Sequence, residues 1–96
     1  MDTEMSREID RAAANKLHVE IAHEGGMLVW TVYKSPGDYP GKFIGRPWKP
    51  WGIGAGPMDL HLVADDLQAL RDQLPHGVYR LPRNYEDDPV IVETWI

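Results

Sequence analysis

Cysteine is missing from this chain of 96 residues, phenylalanine occurs once, and serine occurs only as Ser6 and Ser35. Without cysteine there is no disulfide framework, no thiolate nucleophile and no cysteine-ligated zinc or iron–sulfur centre. Neither serine lies in a Gly-x-Ser-x-Gly setting, so the strained turn that exposes a nucleophilic hydroxyl is not indicated. No apolar run approaches the roughly 20 residues that span a bilayer. The opening stretch MDTEMSREID alternates in charge and lacks the apolar region of a secretory signal. A soluble, cytoplasmic chain is therefore expected. Positive charge is also scarce: 10 Lys and Arg against 15 Asp and Glu give a net charge of −5. That balance disfavours a protein that coats duplex DNA, which needs a basic footprint to release counterions.

What is present is the composition of a folded domain, with 43% hydrophobic and 26% charged residues. A chain of this length buries a core without help from metal or crosslinks and is expected to form one domain over 16–96. Residues 1–15 are expected to be a tail or a short helix. For the helix, Ser6 would cap a segment over 5–14 in which Met5, Ile9, Ala12 and Ala13 fall near one face.

KLHVEIA, residues 16–22, alternates Leu17, Val19 and Ile21 against His18, Glu20 and Ala22, the period-2 pattern of a half-buried strand. HEGG then reads as a turn and MLVWTVYK as a second strand, giving a hairpin. MDLHLVA is expected to be a third strand. A helix over 65–74 follows, capped by Asp65 with Gln68 three residues on, striped with Leu67, Leu70 and Leu74, and ended by Pro75 and Gly77. GVYRLP and PVIVETWI read as two more strands, joined by a turn at RNYEDD. The expected order is β-β-loop-β-α-β-β. This is an α+β domain with a mostly antiparallel sheet of about five strands and one packed helix.

The long connection in that order, YKSPGDYPGKFIGRPWKPWGIGAGP over 33–57, is the segment richest in chemistry. It holds six glycines, five prolines, four cations and five aromatics. Over 34–49, Lys34, Lys42, Arg46 and Lys49 against Asp38 make a basic island of net +3 in an acidic chain. A flexible linker would be poor in large rings, so this segment is expected to be ordered. Either its rings fold back as a lid over the sheet, or some stay exposed beside cations as a contact surface. Trp, Tyr and Arg are the types that dominate interface energetics. The candidate binding residues are Tyr39, Lys42, Phe43, Arg46, Trp48, Lys49 and Trp51. Aromatics beside Lys and Arg also suit single-stranded nucleic acid, where bases stack on rings.

GIGAG, with glycines at 52, 54 and 56, is not a dinucleotide fingerprint, because Pro57 and a strand follow where a helix should open. His18 and Glu20 on one strand and Asp59 and His61 on another would make a metal cluster only if those strands were neighbours. The acidic pairs at 65–66 and over 86–88 are accounted for by a helix start and a turn.

Three blocks carry a resemblance: VYKSPGDYPGKFIGRPW over 32–48, VADDLQALRDQLPHGVYRLPR over 63–83, and DDPVIVETWI over 87–96. They resemble a group of short uncharacterised bacterial and phage or prophage proteins with Tyr-x-x-Pro-x-Asp-Tyr-Pro-x-x-Phe, Gly-x-Tyr-Arg-Leu-Pro and C-terminal Val-Glu-x-Trp blocks. The resemblance implies no catalytic residue and no cofactor. It implies a mobile-element setting, in which small acidic proteins bind a host or phage protein. In the first block Asp38 is expected to bond within its own turn between Pro36 and Pro40, and Arg46 and Arg83 to stack on a tryptophan or clamp a carboxylate.

The residues thus favour a non-catalytic accessory or regulatory protein acting through 33–57 on another protein or a second copy of itself. Single-stranded nucleic-acid binding through the same segment is the alternative. A small metal-dependent enzyme on the His18/Glu20/Asp59/His61 face is a further one.

Overall fold

The structure, a computed structural model, describes residues 6–34, 39–82 and 91–96. The chain forms strand β1 (Arg7–Glu8), helix α1 (Arg11–His23), strands β2 (Val29–Lys34), β3 (Phe43–Lys49), β4 (Gly56–Pro57) and β5 (Leu60–Ala64), helix α2 (Leu67–Arg71), and strands β6 (Arg80–Leu81) and β7 (Ile91–Trp95). It is a small α+β domain with a mostly antiparallel open sheet in the order β1-β5-β3-β2-β7-β6, with β4 pairing beside β3. Among the described residues only the β1–β5 pair is parallel.

The first element of the expected hairpin is a helix. Asp10 adopts an extended conformation and its carboxylate accepts from Ala13 N at 2.9 Å, capping the first turn of α1. At the other end Gly26 N bonds to Ile21 O and Gly25 N to Ala22 O, at 2.9 and 3.0 Å, which is a Schellman cap. Gly25 sits at φ +80°, a conformation that side-chain-bearing residues rarely adopt. HEGG therefore ends a helix where the sequence suggested a hairpin turn. The spacing that matters is Ala14, Leu17 and Ile21, all in or against the core, while Val19 is 49% exposed. The helix runs through residues 15 and 16 without a break.

The N-terminal segment also differs from the expected helix over 5–14. Arg7 and Glu8 pair with Leu60 and His61 of β5, and Ser6 hydrogen-bonds the His61 ring in place of capping a helix. Met5 lies outside the described residues, as do the turn around Pro36 and Asp38, Ser35, Arg83 and the acidic stretch 86–88.

The long connection contains β3, which lies between β2 and β5 in the sheet. Gly45 and Pro47 disguise it, since both are poor strand residues. Pro47 O accepts from Met58 N at 3.0 Å, so its ring nitrogen faces the same side of the strand. On that side β5 pairs only with Phe43–Gly45, and no ladder bond is lost at 47. Gly45 pairs with Val32 and Leu62 on the helix-covered face, where an added Cβ would lie 3.6 Å from Leu70 Cδ2.

Trp30, Val32 and Leu62 meet Ala14 and Ile21 of α1 and Leu70 and Leu74 from α2 and its exit turn in one core, so both helices cover the same face of the sheet. α2 is capped by Asp66, whose carboxylate accepts from Ala69 N at 2.7 Å, and not by Asp65. Gln68 bonds to Asp72 and makes no capping box.

At the edge of this core lies a buried carboxylate. Glu93 of β7 has a side chain only 5% exposed and receives the guanidinium of Arg71. Arg80 Nη1 lies 3.2 Å from Glu93 Oε2, and Trp95 Nε1 donates to Oε1 at 3.0 Å. Desolvation pushes the Glu93 carboxyl upward, but the hydrogen bonds from Arg71, Trp95 and Arg80 outweigh it, and its pKa lies below the usual glutamate value. The same bond to Glu93 raises the pKa of Arg71.

Candidate functional site

The seven candidate binding residues divide among four environments. Phe43 turns to the helix-covered face and packs against the core. Tyr39 and Lys42 lie beside β5 and its exit, Tyr39 at His61 and Lys42 at Asp65. The Tyr39 hydroxyl is 3.2 Å from His61 Nε2 and the two rings are tilted with centroids 5.4 Å apart. Ser6 Oγ meets His61 Nδ1 at 2.7 Å. The ring of His61 is thus held from both nitrogens while the residue is buried. Lys42 forms an ion pair with Asp65, and that bond, with the ammonium's charge, lowers the Asp65 pKa. These two, with Glu8 and Val63, border a shallow pocket of about 300 Å³.

Arg46 and Trp48 share the sheet face opposite the helices, because Arg46 pairs with Thr31 and the Trp48 indole donates to Thr31 Oγ1 at 2.8 Å. Arg46 Nε is buried with no hydrogen-bond partner among the described residues. An uncompensated buried donor costs about 1–3 kcal/mol.

The fourth environment is the turn over 50–55 that links β3 to β4. Gly52, Gly54 and Gly56 have φ of +92°, +77° and +118°, so the turn is built on a backbone open to glycine. Lys49 closes it: Nζ donates to Ile53 O at 2.6 Å, and Ala55 N bonds to Gly52 O at 3.1 Å. This lysine, expected to face a partner, is in part a brace for its own turn. Held out on that frame are Trp51, 56% exposed, and Ile53, 96% exposed. Ile53 was not among the expected residues. The signal was an isoleucine between two glycines, a side chain with no neighbours along the chain to pack against.

The proposed metal face is not assembled. His18 and Glu20 lie on α1, where the His18 ring accepts from Trp30 Nε1 at 3.5 Å and burial lowers its pKa. Asp59 and His61 belong to the β5 region, where His61 pairs with Glu8 and meets Ser6 and Tyr39. Among the described residues no three His, Asp or Glu side chains are grouped to hold a metal ion. Among the same residues no helix is long and apolar enough to cross a membrane.

No protein-family model matches this chain, and neither the curated proteins nor the solved structures contain a match.

Proposed function

We propose that this chain is a non-catalytic accessory or regulatory protein that binds another protein through the turn over 50–55, with Trp51 and Ile53 as the contact side chains. The observation that carries this reading is that the two most apolar side chains of the turn are exposed on a backbone braced by Lys49. Apolar groups held rigidly in water contribute most when a partner removes them from it, and little ordering entropy is then lost. Fully enclosing Ile53 and Trp51 is worth roughly 2–3 kcal/mol each. Lys49, the one cation whose ammonium lies at this turn among the described residues, favours a partner whose apolar pocket has an acidic rim. The setting we infer is a bacterial cytoplasm, with a mobile-element context implied by the resemblance of the three sequence blocks.

The single-stranded nucleic-acid reading is less well supported. It needs Tyr39, Phe43, Trp48 and Trp51 on one surface, whereas Phe43 packs against the core and Tyr39 sits on His61.

The test is affinity capture from a bacterial lysate with the wild type and a Trp51→Ser, Ile53→Ser variant, followed by calorimetric titration of each purified captured protein. A protein bound directly by the wild type and at least about tenfold more weakly by the variant supports the reading. Equal affinity for both, or binding only to oligonucleotide, overturns it.

A further inference from the structure

A second concavity lies away from that turn, where the start of α1, the end of α2 and the chain over 75–78 meet β7. It has a volume of about 530 Å³ and is lined by Arg11, Arg71, Asp72, His76, Val78 and Trp95 among others. This is within the range of pockets that hold small ligands.

Its charge is opposite in sign to that of the chain. Glu93 carries one negative charge and receives two guanidiniums, Arg71 and Arg80. Arg11 adds a third cation, and its Nη2 donates to His76 Nε2 at 2.7 Å. Asp72 is the one carboxylate among the lining residues, and its Oδ1 already accepts from Gln68. Three cations against two carboxylates leave the site an excess of one positive charge.

The donors are also positioned. Arg71 gives Nε and Nη2 to Glu93, which leaves Nη1 without a hydrogen-bond partner among the described residues. A guanidinium fixed on one edge by a buried carboxylate presents its remaining N–H groups with little further loss of freedom, and planar donors of this kind match phosphate oxygens. Trp95 is held by the same carboxylate through its indole N–H, and it forms part of the wall.

We propose that this pocket binds a small organic phosphate, with the phosphoryl group between Arg11 and Arg71 and the apolar remainder against Trp95 and Val78. Arg11 exchanges its bond to the imidazole for charge-assisted bonds to phosphate, and the released His76 ring turns toward the same group.

The test is a titration of the isotope-labelled protein followed by NMR, reading the Trp95 indole N–H and the amides over 76–78. The probes are inorganic phosphate, adenosine monophosphate and a short single-stranded oligonucleotide. Saturable shifts are expected with the monophosphate, weaker ones with inorganic phosphate, and at least about a tenfold loss of affinity in Arg11→Gln and in His76→Ala. Both positions are exposed, so the fold is not at risk. Trp51→Ser should bind the monophosphate as the wild type does, which separates this site from the turn. Failure of the monophosphate to saturate by about 10 mM overturns the proposal. So do equal affinities in both pocket variants, or tighter binding of the oligonucleotide at these resonances.

Discussion

Glu93 shows how much one residue can carry in a domain this small. Its carboxylate is shared by Arg71, Arg80 and Trp95, so its removal strands two guanidiniums and an indole N–H at once. Glu93→Gln is expected to destabilise the fold by about 2–3 kcal/mol, measured by chemical denaturation. The pH dependence follows from the direction of the shift. The folded pKa lies below the unfolded one, so this contribution is complete above the ordinary glutamate range near pH 4.3 and is lost as pH falls through the folded value. The melting temperature of the wild type should therefore drop between about pH 5 and 3, and that of Glu93→Gln should drop less. Trp51 and Ile53 stand at the other extreme. Both project into water, so Trp51→Ser with Ile53→Ser should change unfolding free energy by no more than about 0.5–1 kcal/mol. A larger loss would mean that the turn supports the fold and is not held ready for a partner.

The elements differ in how plainly the sequence announced them. β2 and β7, dense in β-branched and aromatic residues, and β5 lie where their patterns place them, and the stripe of Leu67, Leu70 and Leu74 does face the core. α1 reads as a strand in the sequence because Leu17, Val19 and Ile21 satisfy a period of two, while Ala14, Leu17 and Ile21 satisfy the helical spacing that tertiary packing selects. The two readings make opposite demands on Val19, since a strand would bury it beside Leu17 and the helix exposes it. Val19→Gln should accordingly be neutral within about 0.5 kcal/mol, whereas Gly25→Ala at φ +80° should cost about 1 kcal/mol by thermal or chemical unfolding. β3 was hidden for a different reason. Gly45 and Pro47 read as breakers in isolation, and only the short reach of β5 makes a proline acceptable there. The site was legible to the same degree. Trp51 was visible as a ring in a glycine-rich stretch. Burial of Phe43, the Tyr39–His61 contact and the bracing role of Lys49 depend on pairings distant in the chain, which no local pattern encodes.

At the scale of the whole molecule, both helices cover one face of the sheet, and the face bearing Thr31, Arg46 and Trp48 lies opposite them. The basic island of the sequence is dispersed by this architecture. Lys42 goes to Asp65, Lys49 to its own turn, and Arg46 to the sheet face. What remains concentrated is the apolar tip of the β3–β4 turn, on which the proposed function rests. Hydrogen–deuterium exchange of the chain, free and saturated with a captured partner, tests this most directly. Slowed exchange concentrated over 49–57 is the predicted result. Unchanged exchange there, with protection appearing on α1 or at the 75–78 pocket instead, would contradict the account.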